Sequence, residues 1–223
     1  MAKIDQLIRS KRKTVEFRID LDGRLIIRAP LRARRDQIEA LVAEKEAWIR
    51  AKQELARAER LKEVKRSFQD GEKFLFLGKE YFLKIVEGLE GGFKVTDQFN
   101  LDRSALPRAG EVIEGWYLTQ AKEIIPQRVA WYAKKHGFVY HQVRIKKMVS
   151  RWGSCSSKSN LNFNYRLVMA PLEVIDYVVI HELVHLIHRN HSRQYWEAVE
   201  ILQPDFAVRR GWIQRNGRWL KVL

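Results

Sequence analysis

The sequence HELVHLIHRNH, residues 181–191, is the part of this chain from which the rest can be interpreted. It holds four of the six histidines, and its first five residues form the pattern H-E-x-x-H. On a helix, residues four apart project from one face, so His181 and His185 can bind a single metal ion. Glu182 lies beside the first ligand, where it can take a proton from a water bound to that ion. The stretch therefore predicts a zinc hydrolase site.

The residues before this motif predict a buried helix. Pro171 stands where a first helical residue is favoured, and Glu173 lies in the first turn. Apolar residues then surround most sides of the helix between Leu172 and Ile187, which is typical of a helix in a protein interior. Burying histidines and a glutamate there costs free energy unless something compensates them, and a metal ion does so. The alternative is a core helix whose histidines only hydrogen-bond to neighbours.

Catalytic zinc usually has three protein ligands and one open position, so a third ligand is expected. The candidates are His188, His191, Glu197 and Glu200. His188 lies a further turn along the helix, whereas Asn190 can end the helix in a left-handed conformation and let His191 fold back. Either glutamate would give a His-His-Glu set instead. We favour His191 and place His188 at the rim of the site.

Length and composition indicate a globular protein of one or two domains. Hydrophobic residues make up 46% of the 223 residues, and seven of these are tryptophan. The single cysteine, Cys155, excludes an internal disulfide and favours a reducing compartment. The sequence shows no apolar run of membrane-spanning length and no apolar core of a signal peptide. We therefore expect a cytoplasmic protein without a membrane partner.

The formal net charge of +15 favours contact with anionic partners, including the phosphate backbone of nucleic acid. The same charge can serve solubility alone, because no nucleic-acid recognition module accompanies it. Protein or peptide substrates are thus the expected partners, with nucleic acid as an alternative. In that alternative, the zinc site acts on proteins bound to the nucleic acid or is purely structural.

The first half of the chain predicts hairpins and a long helical segment. Residues 14–19 and 24–29 alternate around an Asp-Gly turn and predict a β-hairpin. Residues 34–66 contain neither Gly nor Pro and predict one long helix or two. A second hairpin is predicted from residues 73–77 and 81–86, which flank Gly78-Lys79.

The second half predicts helices with a pair of strands between them. Residues 112–135 predict a helix that kinks or breaks at Pro126 and ends at Gly137. Residues 143–149 and 161–168 predict two strands around a turn-rich loop, and their edge could hold an extended peptide by strand addition. A helix capped by Ser192 follows, and then a short basic tail that contains Trp212 and Trp219.

We therefore predict an α+β protein of two domains. Residues 1–108 are expected to form a smaller β-rich domain with the long helix. Residues 109–223 are expected to form the metallohydrolase domain with the metal-binding helix.

Taken together, the motifs resemble the YgjP-like metallopeptidase family, which is related to the SprT-like zinc peptidases. The resemblance is carried by RWGSCSSKSNLNFNYRLVMAP (residues 151–171), VIDYVVIHELVHLIHRNHSRQYW (174–196) and DGEKFLFLGKEYFLKI (70–85). It implies a zincin-like catalytic domain that binds one zinc ion per chain. It also implies His181, His185 and His191 as the zinc ligands and Glu182 as the general base.

Two points stay open within this resemblance. Some similar proteins are described as nucleotide pyrophosphatases, so nucleotide hydrolysis at the same metal is an alternative reaction. The imidazoles would also accept other divalent transition metals, such as nickel or cobalt.

Further polar residues are candidates for contacts with a substrate or a transition state. Arg151 and Arg166 can stabilise an oxyanion or a phosphate, and the competing interpretation is an ion pair within the strand hairpin. Asn164, Tyr165 and Tyr195 are candidate hydrogen-bond donors to a tetrahedral intermediate, with hydrophobic packing of the tyrosine rings as the alternative.

Two more residues have competing interpretations. Asp176 can orient a ligating imidazole or form a local pair. Cys155 can approach the zinc as a latency switch, or it can be a small buried residue in a tight turn.

Overall fold

The structure is a computed structural model that describes residues 2–20, 23–61, 66–148, 151–217 and 220. Its contacts divide the chain into two compact units, Met1–Lys65 and Arg66–Leu223. Among the described residues, no helix combines the length and the apolarity that crossing a bilayer requires.

The first unit is a three-stranded sheet with two helices. The strand order is β1-β3-β2, in which β1 is parallel and β2 antiparallel to β3. The elements are β1 (Gln6–Ser10), β2 (Glu16–Ile19), β3 (Leu25–Pro30), α1 (Arg35–Glu44) and α2 (Glu46–Leu61). Its core joins alternate residues of β3 to the helices and contains Leu25, Ile27, Ala29, Ile38, Val42 and Ile49.

The hairpin predicted from residues 14–19 and 24–29 is confirmed as β2 and β3. Residues 21–22 of its turn lie outside the described residues. The long helical segment consists of two helices on either side of Lys45. Strand β1 was not predicted, because its side chains are mostly exposed and show no alternation of burial.

The second unit begins with a four-stranded sheet of order β4-β5-β7-β6. Strands β5 and β7 are parallel, and the other two neighbouring pairs are antiparallel. The strands are β4 (Lys73–Phe76), β5 (Lys79–Val86), β6 (Phe93–Val95) and β7 (Phe99–Asp102). The second predicted hairpin is therefore confirmed as β4 and β5.

The tip of this hairpin contacts the segment that leads into the helix with the H-E-x-x-H motif. Leu77 and Gly78 both have positive φ, 50° and 77°, as a two-residue type I′ turn requires. Their amides donate to the carbonyls of Val168 and Met169 at 2.8 and 3.2 Å. A Cβ at Gly78 would lie 2.7 Å from Cγ of Pro171. The small sheet thus supports the start of that helix.

Helix α3 (Ala109–His136) follows a 3-10 turn (Arg103–Arg108) and runs through Pro126. The helix therefore does not break at Pro126, and the alternative, a kink at this residue, stays a prediction. Gly137, with φ 72°, ends the helix as predicted. One buried residue every four positions keeps a continuous face against the core, namely Ile113, Tyr117, Ala121, Ile125, Val129 and Ala133.

The boundary predicted between residues 108 and 109 does not separate the compact units. Phe74 and Phe99 of the four-stranded sheet belong to the same core as Tyr117 of α3. The Tyr117 hydroxyl also donates to the carbonyl of Leu75 at 2.6 Å. The change of pattern near residue 108 marks a change from strand to helix inside one unit.

The second unit also contains a three-stranded sheet, with the order β8-β10-β9. Strand β10 (Asn160–Asn164) pairs with β8 (Gln142–Lys146) in parallel and with β9 (Gly153–Cys155) in antiparallel orientation. The predicted strand over residues 161–168 ends at Asn164, where a 3-10 turn (Tyr165–Met169) begins. Strand β9 therefore forms one edge of this sheet.

Three helices complete the unit: α4 (Leu172–Val184), α5 (Arg193–Leu202) and α6 (Phe206–Asn216). The predicted tail is thus a helix as far as Asn216, and Trp219 lies outside the described residues. Helix α4 is buried along most of its length, as its sequence predicted.

Candidate metal centre

Three imidazoles converge at the end of α4. His181 lies in its last turn, His185 directly follows it, and His191 precedes α5. One ring nitrogen from each histidine lies within 4.8 Å of the other two, and Nε2 of His181 is 3.2 Å from Nε2 of His191. Two ligands about 2.05 Å from a tetrahedral zinc ion are about 3.3 Å apart. The Nε2 spacing of His181 and His191 and the chemistry of the three donors therefore fit zinc.

The chain returns to the site by a different route from the predicted one. Helix α4 ends at Val184, and the amide of His188 donates to the carbonyl of Val184 at 2.9 Å. Asn190 does not have a positive φ, so the left-handed helix end predicted there is wrong. Ser192, which directly follows His191, caps α5 by accepting a hydrogen bond from the amide of Tyr195. This cap fixes the backbone next to His191.

The other candidate ligands lie outside the cluster. His188 contributes its carbonyl oxygen, which is 2.9 Å from Nδ1 of His185. A proton on this Nδ1 leaves Nε2 of His185 as the free ligand atom. Glu197 accepts a hydrogen bond from Arg193 at 2.6 Å, and Glu200 is exposed to solvent.

The environment keeps two of the imidazoles neutral. Burial is the main cause that lowers the pKa of His181 to about 3, and the nearby His185, His191 and Arg210 contribute to the same shift. Burial also lowers the pKa of His191. Only neutral imidazole binds a metal ion, so these groups are in the required form at neutral pH.

Aromatic side chains from α5 pack against the imidazoles. The hydroxyl of Tyr195 donates to the carbonyl of His181 at 3.0 Å, and its ring stacks on His185 with centroids 4.6 Å apart. Trp196 stacks on His191 with centroids 5.5 Å apart. Tyr195 is buried and does not line the cleft described below, so it orients the ligands and has no free hydroxyl to offer to a substrate.

Glu182 is 4% exposed and lies against strand β9. Burial raises the pKa of its carboxyl to about 8, while the Arg151 guanidinium and the Cys155 amide act in the opposite direction. Its Oε2 has no hydrogen-bond partner among the described residues. A buried carboxylate oxygen without a partner is costly, and a water or a cation beside the imidazoles would compensate it.

An open cleft of about 270 Å³ contains this centre. Its wall combines the histidine-containing segment with strand β9 and two arginines. The lining residues are Arg151, Gly153, Ser154, Cys155, His181, Glu182, His185, Arg189 and His191. Of the candidate substrate contacts predicted from sequence, Arg151 alone lines this cleft. Gly153, Ser154 and Arg189 were not predicted, although all three lie within the quoted sequence stretches.

The remaining predicted contacts are buried away from the cleft. Asn164 donates to the carbonyl of Met148 at 2.7 Å and accepts from the amide of Arg166 at 3.2 Å, which caps the 3-10 turn. Tyr165 and Arg166 are buried in this turn. The polar side chain of Asn164 suggested contact with a substrate, but its hydrogen bonds stabilise the backbone of neighbouring segments.

Cys155 and Asp176 both contact arginine side chains. The Cys155 thiol is half-buried and lies 3.6 Å from the Arg189 guanidinium, and burial raises its pKa. It lines the cleft but does not belong to the histidine cluster. Asp176 accepts hydrogen bonds from Arg128 of α3 at 2.6 and 2.7 Å, so it forms an ion pair between two helices and does not orient an imidazole.

Comparisons with known proteins identify a family for this chain. A family model described as YgjP-like, metallopeptidase domain, matches residues 13–216. No curated protein matches the sequence. Among solved structures, the metallopeptidase zymogen jannalysin of Methanocaldococcus jannaschii is similar, with 19% sequence identity and a TM-score of 0.35. The match covers 43% of this chain and 94% of that chain. A similarity this low supports no conclusion about the present chain.

Proposed function

The chain belongs to the YgjP-like metallopeptidase family, and we propose that it is a zinc-dependent peptidase with a zincin-like catalytic unit. Membership of this family identifies a metal-dependent hydrolase. Zinc, the peptide bond and the roles of single residues are our proposal. The observation that carries it is the convergence of His181, His185 and His191 beside the buried carboxylate of Glu182.

The three histidines would hold one zinc ion per chain. When bound, zinc polarises a carbonyl and lowers the pKa of a water in its open position. Glu182 is proposed as the general base that takes a proton from the attacking water and passes it to the leaving amine. Burial against Gly153 holds its carboxylate at the cleft, since that carboxylate has no room to turn toward β9.

Strand β9 is the proposed binding edge for the substrate. It pairs with β10 on one side, and no strand pairs with its other side among the described residues. All three of its residues, Gly153 to Cys155, line the cleft. An extended peptide could therefore add to the sheet through its backbone, which would place a scissile carbonyl beside the histidines.

Nucleotide hydrolysis fits the site less well. Phosphoryl transfer usually recruits magnesium through clustered carboxylates. In the described part of the chain, the candidate ligand cluster consists of three histidines, and Glu182 is the one carboxylate that lines the cleft.

The test compares the two reactions in protein stripped of metal and reloaded with zinc. We expect elemental analysis to find one zinc per chain and casein to be cleaved. Glu182→Gln should keep the zinc and lose cleavage by about 10²-fold or more, whereas His141→Gln, at an exposed position, serves as the control. Casein cleavage by Glu182→Gln at the wild-type rate would exclude this base. Nucleotide hydrolysis without casein cleavage would overturn the peptidase proposal.

A further inference from the structure

The accessible charged side chains of the cleft are two arginines, and we propose that Arg151 and Arg189 select peptides with an acidic residue beside the scissile bond. This inference rests on the proposed peptidase function and names the substrate class of the same site.

The charge of the cleft is the first observation. Its charged lining residues are Arg151, Arg189 and Glu182. Both arginines are exposed, whereas Glu182 is 4% exposed and lies against Gly153. A substrate in this cleft therefore meets positive charge, which attracts carboxylates and repels lysine and arginine side chains.

The positions of the two arginines relative to β9 are the second observation. Arg151 precedes Gly153, the first residue of β9, by two positions. The guanidinium of Arg189 donates to the carbonyl of Ser156, directly after the last residue of β9, at 2.8 Å. A peptide paired with β9 would thus have a guanidinium near each end of the paired segment. Acidic residues on either side of the scissile bond would be recognised.

The backbone of Arg151 and the guanidinium of Arg189 are each held by hydrogen-bonding contacts. The carbonyl of Arg151 accepts a hydrogen bond from the Asn164 amide group at 3.4 Å, and the carbonyl of the next residue, Trp152, accepts the backbone amide of Asn164 at 2.9 Å. The guanidinium of Arg189 also lies 3.6 Å from the Cys155 thiol. Pre-organised charges need less ordering when a substrate binds.

Neither arginine forms an ion pair with a carboxylate in the described part of the chain, although Arg151 is close enough to Glu182 to lower the pKa of its carboxyl. Exposed arginines elsewhere do have such partners: Arg35 pairs with Glu39 at 2.9 Å, and Arg193 pairs with Glu197 at 2.6 Å. A substrate carboxylate can therefore supply the missing partner. Exposed ion pairs change an equilibrium constant up to about fivefold, which sets the size of the selectivity expected from each arginine.

The test maps cleavage sites in a peptide library with zinc-loaded protein. We expect sites of the wild-type enzyme to be enriched in Asp and Glu near the cleaved bond, and Arg151→Gln and Arg189→Gln to reduce this enrichment about fivefold each. Arg144→Gln is the control, because it removes the same charge from an exposed residue of β8, at the other edge of the sheet. Cleavage without acidic enrichment, or enrichment that both cleft variants retain, would overturn the inference.

A binding measurement separates this inference from the proposed reaction. Fluorescence anisotropy would compare an alanine-rich peptide carrying Asp with the matched Asn and Lys peptides, in metal-free protein. We expect the Asp peptide to bind more tightly, and the double variant Arg151→Gln, Arg189→Gln to lose the difference. This result would support the inference even if no peptide were cleaved, in which case the peptidase proposal alone would fail. Equal binding of all peptides, or binding of a nucleoside triphosphate alone, would refute it.

Discussion

The backbone of Gly153 is in contact with the side chain of Glu182: a Cβ on Gly153 would lie 2.6 Å from Oε1 and 2.7 Å from Cγ. Strand β9 and helix α4 therefore meet where the proposed base lies. Because both atoms belong to Glu182, any larger side chain at position 153 must move the carboxylate. Gly153 therefore leaves room for the Glu182 side chain because it has no Cβ.

Gly153→Ala should reduce peptidase activity by about 10²-fold, because a displacement of about 1 Å at a catalytic group has effects of this size. The measurement is kcat/KM on casein-derived peptides together with thermal unfolding and zinc content. Gly115→Ala is the matched control, since a Cβ there meets open space within α3. This control should keep full activity and gain up to about 1 kcal/mol of stability. Wild-type activity in Gly153→Ala would show that the position of Glu182 matters less than we infer.

Removal of the metal should destabilise the protein. A ligand that binds only the folded state stabilises it by about 4 kcal/mol when present at a thousand times its Kd. We expect the melting temperature to fall on chelation and to recover when zinc is added. His191→Ala should abolish this response, and His141→Ala should retain it. A zinc response that survives in His191→Ala would remove this residue from the ligand set.

The first two proposed ligands and the proposed base could be identified from sequence because their relationship is local. His181 and His185 are about one helical turn apart and Glu182 directly follows His181, so helix geometry alone brings the three together. The third histidine was predicted, but by a helix end at Asn190 that the structure does not have. Where the chain turns after Val184 depends on packing against α5, which sequence periodicity does not report.

The wrong predictions concern information that is not local. Asn164 and Tyr195 are polar, and polarity alone suggested a substrate contact, but both are fully buried by residues distant in sequence. Arg189 was missed because its position in the cleft depends on its hydrogen bond to Ser156. The boundary near residue 108 was placed at a change from strands to helix, since the sequence does not show that both sides share one core.

Tyr195→Phe should lower the free energy of unfolding by about 1–3 kcal/mol, because the carbonyl of His181 loses its donor in a buried environment. The ring stack on His185 would remain, so we expect zinc to stay bound. Urea unfolding and zinc content measure the two effects. Tyr140→Phe is a control at a half-buried position, where a change within about 0.5 kcal/mol is expected. An unchanged stability of Tyr195→Phe would show that another group satisfies this carbonyl.

The Arg128–Asp176 pair joins α3 to α4 through two hydrogen bonds of 2.6 and 2.7 Å. Its side chains are 27% and 10% exposed, compared with 93% and 50% for the surface pair Arg193–Glu197. Removal of one partner leaves a poorly solvated charge, so Arg128→Met should cost about 3 kcal/mol, near the lower end for buried pairs because Arg128 is partly exposed.

A double-mutant cycle on Arg128→Met and Asp176→Leu would measure the coupling between the two residues by urea unfolding. The cycle on Arg193 and Glu197 is the control and should give about 0.2–1 kcal/mol. Equal coupling energies in the two cycles would contradict the role of burial. The same variants test the competing interpretation of Asp176: if it oriented an imidazole, Asp176→Asn would weaken zinc binding. Because its carboxylate is bound to Arg128, we expect the zinc affinity of Asp176→Asn to remain that of the wild type while its stability falls.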